Sequence, residues 1–89
     1  MLGDQHLEVA ASYQNIGMAL KSLGMNQRAL DAQLSALAIK KAVLGERHVD
    51  SIKLLGSVGG VYYAMKDYAK ALEFYQKVFM SLYFILFIY

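Results

Sequence analysis

Apolar side chains recur along the chain at intervals of three and four. Val9, Tyr13, Ile16, Leu20 and Leu23 form one such series, which is the period of a helix rather than a strand. The other side of that helix carries Ala11, Asn15, Met18 and Ser22, a smaller and more polar set. Gly24 suits the helix C-terminus, and Asn26 offers an N-cap oxygen to the next helix. That second helix carries Ala29, Leu30, Leu34, Leu37, Ala38 and Ile39 and ends at Gly45. The plan then returns: a helix from about Asp50 to Met65, a turn at Lys66 and Asp67, and a helix from about Tyr68 with Asp67 as its cap. Proline is absent, so nothing forces a helix to break.

Shifting the chain by 42 residues against itself places Leu2-Gly3 on Leu44-Gly45, His6 on His48, Gly17 on Gly59 and Ala29-Leu30 on Ala71-Leu72. Asp4 and Glu8 fall on Glu46 and Asp50, and Ile16 meets Val58. One offset carrying small and turn-forming residues in one order is a repeat. Each unit is a helix-turn-helix, and the second decays after Val78. Gly17, Ala29 and Ala36 are expected on facing helices, where a glycine opposite an alanine brings the axes near the low end of the roughly 8–10 Å range. Tyr13, Leu20 and Leu30 then fill the flanks, and Gly59, Ala71 and Tyr62 repeat the arrangement. A glycine within a helix costs about 0.5–1 kcal/mol against alanine. Its recurrence at one register argues that close packing requires it.

With 89 residues and 9.9 kDa, the chain is one small domain or a piece of a longer array with a thin core. There is no cysteine, which excludes disulfides and thiolate chemistry and leaves the redox compartment open. Nine basic and seven acidic side chains give a net charge of +2, too balanced to point to nucleic acid. A hydrophobic content of 57% excludes disorder. Residues 78–89 carry no charge, and five of those twelve are aromatic. The stretch is short for a membrane span, which needs about twenty residues, and a secretory signal belongs at the other end. It reads as a helical continuation, as the start of a membrane segment, or as a sequence without an evolved role.

Asp4-Gln5-His6-Leu7-Glu8 and Glu46-Arg47-His48-Val49-Asp50 each set a histidine between acids. The pattern invites a metal or acid–base reading. Repetition favours turns between hairpins, with the acids near helix N-termini. Gly56 to Gly60 lacks the spacing and the lysine of a phosphate loop. Lys40, Lys41 and Arg47 read as a solvated helix end. Tyr62, Tyr68, Phe74 and Tyr75 read as hairpin core, with Tyr63 as a ligand-facing exception. No nucleophile–base set or cofactor motif is present in the sequence. The expectation is therefore a non-catalytic chain with no cofactor, no metal ligands and no catalytic residues.

Tyr13-Gln14-Asn15-Ile16-Gly17-Met18-Ala19-Leu20, followed by Ala29-Leu30 and Ala36, resembles a tetratricopeptide repeat. Leu55, Val58 to Tyr62 and Asp67 to Tyr75 resemble it more closely. The 42-residue spacing and the run from Leu2 to Gly17 are similar to the kinesin light chain-like branch of that family. The resemblance implies an all-α fold, a right-handed α-solenoid fragment of two helix-turn-helix repeats over residues 2–44 and 45–79, with an apolar aromatic tail at 80–89. It implies a protein- or peptide-binding scaffold whose first helices line a concave groove. Carried over by position, Gln14, Asn15, Met18, Lys21 and Ser22 line that groove in the first repeat, and Lys53, Ser57, Gly60 and Tyr63 in the second. Lys21 and Lys53 favour an acidic peptide, and the cytoplasm is the expected compartment. The sequence departs from the family pattern at Leu7 and Val49, where proline is common, and at Ser57, which stands in the place of Asn15. The alternative is a membrane-associated adaptor anchored through the tail. Two repeats fall short of the three or so that usually stand alone, so self-association through the apolar ends is also expected.

Overall fold

The computed structural model describes the backbone of residues 2–88 and the side chains of residues 6–87. Four helices follow one another: α1 (Leu2–Ser22), α2 (Asn26–Leu44), α3 (Val49–Ala64) and α4 (Tyr68–Ile88). The described residues contain no strand. Short turns fold consecutive helices back on each other, and each packs on its sequence neighbours. The result is an α-solenoid of two helical hairpins, a slab of 38 × 34 × 14 Å.

Local chemistry explains the helix ends. Gly24 adopts φ +79°; its N–H donates to the Lys21 carbonyl at 2.9 Å, and the Met25 N–H donates to the Leu20 carbonyl at 2.9 Å. These two bonds make a Schellman closure. Lys66, 42 residues later, repeats it at φ 64°, with Lys66 N–H to Tyr63 O and Asp67 N–H to Tyr62 O, both 2.9 Å. A side chain in the left-handed region is strained where glycine is not. Lys66→Gly is therefore expected to raise stability by about 1 kcal/mol and the melting midpoint by about 4–8 °C. A thermal melt followed by circular dichroism checks this, and an unchanged midpoint contradicts it.

Asp67 caps α4, its Oδ1 accepting from the Lys70 N–H at 3.2 Å. Asn26 does not cap α2. The N-cap is Met25, which makes no side-chain bond, and Asn26 Oδ1 is buried without a hydrogen-bond partner among the described residues. Asn26 already lies inside the helix, where its oxygen is past the amides a cap serves. His48 caps α3: its Nδ1 accepts from the Asp50 N–H at 3.0 Å. Residues 45–48 form the turn between hairpins, whereas residues 4–8 run within α1. Among the described residues no three of His, Cys, Asp and Glu group to hold a metal ion.

The core joins Ala10, Ala29, Leu30, Ala36 and Leu37 of the first hairpin to Leu54, Val58 and Val61 of the second. Leu20 packs on it, but Val9, Tyr13, Ile16 and Leu23 of the α1 stripe are exposed. Helix α1 meets α2 with Ala10 and Gly17 instead. The apolar stripe is real, but it lies on the outer face of the slab.

The glycine packing differs from a glycine–alanine pair. A Cβ added at Gly17 would stand 2.9 Å from Cγ, Cδ and Nε2 of Gln33. At Gly59 it would stand 2.9 Å from Tyr75 Cε1 and 3.3 Å from Phe74 Cβ. Each glycine thus makes room for the long side chain sixteen residues on, Gln33 in one unit and Tyr75 in the other. Close approach is used to pass a side chain across the first helix of each hairpin.

The basic side chains near the inter-hairpin turn have partners, while Lys41 and Arg47 stay exposed to solvent. Lys40 pairs with Asp50 at 3.7 Å and Lys41 with Glu46 at 3.4 Å. The Arg47 guanidinium lies 3.6 Å from the centre of the Phe84 ring. The buried Ser51 Oγ donates to the Gly45 carbonyl at 2.9 Å, closing the turn. The Arg47 contact fastens the far end of α4, whose helix continues through residue 88. Phe79, Tyr83 and Phe87 form an aromatic ladder along it. Tyr89 of the tail lies outside the described residues. No helix among the described residues is long and apolar enough to cross a membrane. Tyr62 packs on Phe74 with ring centres 5.5 Å apart, but Tyr68 and Tyr75 are exposed rather than core. Both still touch α3, Tyr68 against Tyr63 and Tyr75 over Gly59, and leave their outer sides to solvent.

Candidate functional site

The first helices of the two hairpins, α1 and α3, border a cleft of about 400 Å³. Gln14, Met18 and Lys21 line it from α1, and Lys53, Gly56, Ser57 and Gly60 from α3. These positions recur at three and four within each helix, so each helix offers one continuous side. Gln33 completes the lining from α2, crossing the gap that Gly17 leaves.

The chemistry of the cleft is basic and amide-rich. Lys40, Lys41, Lys70 and Lys77 pair with acids. Lys21 and Lys53 make no ion pair among the described residues. Lys21 reaches from α1 to α3: its Nζ lies 3.3 Å from where a Gly60 Cβ would stand, so the missing side chain seats the ammonium. Ser57 Oγ donates to the Lys53 carbonyl at 3.2 Å. Gln33 is 2% exposed, and its Oε1 has no hydrogen-bond partner among the described residues. A buried carbonyl without a partner costs about 1–3 kcal/mol. One amide and two ammonium groups that the fold leaves unpaired are thus gathered in one cleft.

The family profile of the tetratricopeptide repeat matches residues 10–79. The chain belongs to this family. Tetratricopeptide repeats are protein-interaction scaffold modules, and the matched span takes in most of both hairpins and the whole cleft. No curated protein and no solved structure matches the chain.

Within the two tetratricopeptide repeats, six of the nine groove positions read from the sequence come together in the cleft: Gln14, Met18, Lys21, Lys53, Ser57 and Gly60. Asn15 and Ser22 are exposed on α1 outside the cleft lining. Tyr63 is exposed too, set edge-on against Tyr68 at 5.3 Å between ring centres. Gln33 and Gly56 are the lining residues that groove reading missed. Gln33 comes from a second helix, so the pattern of first helices does not reach it. Its one sequence signal is the offset that pairs Gly17 and Gln33 with Gly59 and Tyr75.

Proposed function

We propose that the chain is a non-catalytic peptide-binding module whose cleft holds an extended acidic segment. The observation that carries this reading is the unpartnered Gln33 carbonyl beside two lysines without ion pairs. A peptide backbone N–H supplies the donor that Gln33 Oε1 lacks, and its Asp or Glu carboxylates supply the partners that Lys21 and Lys53 lack. Gly56 and Gly60 keep the α3 side low enough for a main chain to lie close. We also assign residues 2–44 and 45–79 as the two repeats and place them in the kinesin light chain-like branch. The recurrence at 42 residues of the turn residue with positive φ, Gly24 and Lys66, supports that placement.

The test is fluorescence anisotropy with a short labelled peptide rich in Asp and Glu, against its Asn/Gln counterpart. The acidic peptide binds more tightly, and its affinity falls with salt. Lys21→Glu with Lys53→Glu weakens it by at least about tenfold, equivalent to 1.4 kcal/mol. Gln33→Met, similar in volume, removes an unsatisfied carbonyl, so stability is held or raised by about 1 kcal/mol while binding falls. Equal affinity for both peptides, or an unaffected charge-reversed variant, defeats the reading.

A further inference from the structure

The 42-residue offset turns the middle of the chain into a template for its two ends. Helix α2 is covered by α3. Its Leu30 and Leu37 are 6% and 7% exposed. The equivalents on α4, Leu72 and Phe79, are 57% and 66% exposed. The reciprocal face behaves the same way. Val58 of α3 is 0% exposed against α2, and its equivalent on α1, Ile16, is 51% exposed. Leu54 and Leu55 of α3 likewise correspond to Ser12 and Tyr13, both exposed on α1. The chain therefore contains one complete interface, α2 with α3, and both halves of a second one, on α4 and α1.

The α4 half has the spacing a partner helix requires. Tyr68, Leu72, Tyr75, Phe79, Leu82 and Leu86 are all exposed and alternate at four and three. That is the 3.5-residue repeat of a seam between two helices crossing at about 20°. Leu72, Tyr75, Phe79 and Met80 border a shallow, largely apolar groove of about 460 Å³ there. Neither this seam nor Val9, Tyr13 and Ile16 on α1 carries a charge. The accessible surface, 5885 Å², exceeds the roughly 5200 Å² usual for a monomer of this mass.

We infer that the chain self-associates head to tail, α1 of one copy lying on α4 of the next in the register in which α3 lies on α2. A second copy is the occupant because its α1 carries the equivalents of the α3 face that α2 already binds. The contact joins unlike surfaces and leaves one of each free at the ends, so copies add in an open series rather than closing as a pair. No cleft residue takes part, so this inference stands apart from peptide binding.

Sedimentation velocity on the whole chain over a range of concentrations tests it, with Ile16→Glu to block the α1 face and Phe79→Glu to block the α4 face. Both residues are exposed, and unchanged circular dichroism shows that folding is kept. If helicity is lost, Tyr13→Lys and Leu72→Lys replace them. The unaltered chain grows past a dimer as concentration rises. Each variant alone associates about a hundredfold more weakly, because a buried lone carboxylate is heavily penalised. An equal mixture of the two forms a dimer that stops there, since one intact face survives on each. A monomer at every concentration overturns the inference. So does an Ile16→Glu chain that still dimerises while Phe79→Glu does not, which is the mark of α4 pairing with α4.

Discussion

Leu54→Ala is expected to remove about 3 kcal/mol of stability, within the roughly 2–5 kcal/mol range for such truncations. Leu54 is 0% exposed and is the largest fully buried side chain of the core. Its equivalent, Ser12, is exposed on α1, where no helix lies outside it. Leu54 therefore owes its burial to α2 and joins one hairpin to the other. It shares that core with Leu30 and Leu37 of one hairpin and Val58 and Val61 of the other. A chain of 89 residues has a total stability of about 4–13 kcal/mol, so the loss is a large share of it. Thermal melting should show the midpoint falling by about 12–24 °C. A fall of less than about 4 °C, equivalent to under 1 kcal/mol, would mean that the hairpins are not coupled through this residue.

Gly59→Ala is expected to destabilise by about 1–3 kcal/mol, although alanine is the better helix former. The new methyl meets Tyr75 Cε1 at 2.9 Å and, behind it, Phe74 Cβ at 3.3 Å. The tyrosine ring swings outward with modest effort, but Phe74 Cβ is tied to the α4 backbone. The hairpin must open there. Gly17→Ala is the matched control, because all three of its near atoms belong to the flexible part of Gln33. Its amide moves aside towards solvent and gains the partner it lacks, so stability changes by less than about 1 kcal/mol. Urea unfolding of the two variants side by side reads the difference. Equal losses would show that the two glycines have one role, and the contrast between Gln33 and Tyr75 would then carry no weight.

The helices, their turns and the duplicated plan were legible in the residues. Gly24 and Asp67 act where their backbone preferences place them. Six of the nine positions fall together in one cleft because those on each first helix share one side of it. Three things were not legible. Val9, Tyr13 and Ile16 form an apolar stripe, yet they are exposed. The partners of Lys40, Lys41 and Arg47, namely Asp50, Glu46 and Phe84, are set by the fold and not by the sequence pattern. Gln33 lies outside the first-helix pattern, and it is buried and lines the cleft from the other helix.

The sequence by itself determined where each helix runs, where the chain turns and that one unit occurs twice, because hydrogen bonds and caps link residues no more than about five apart. Only the tertiary structure decided which apolar face is covered, which lysines stay unpaired and which side chain crosses each glycine. Periodicity tells which residues share a side of a helix. What stands opposite that side depends on another helix many residues away.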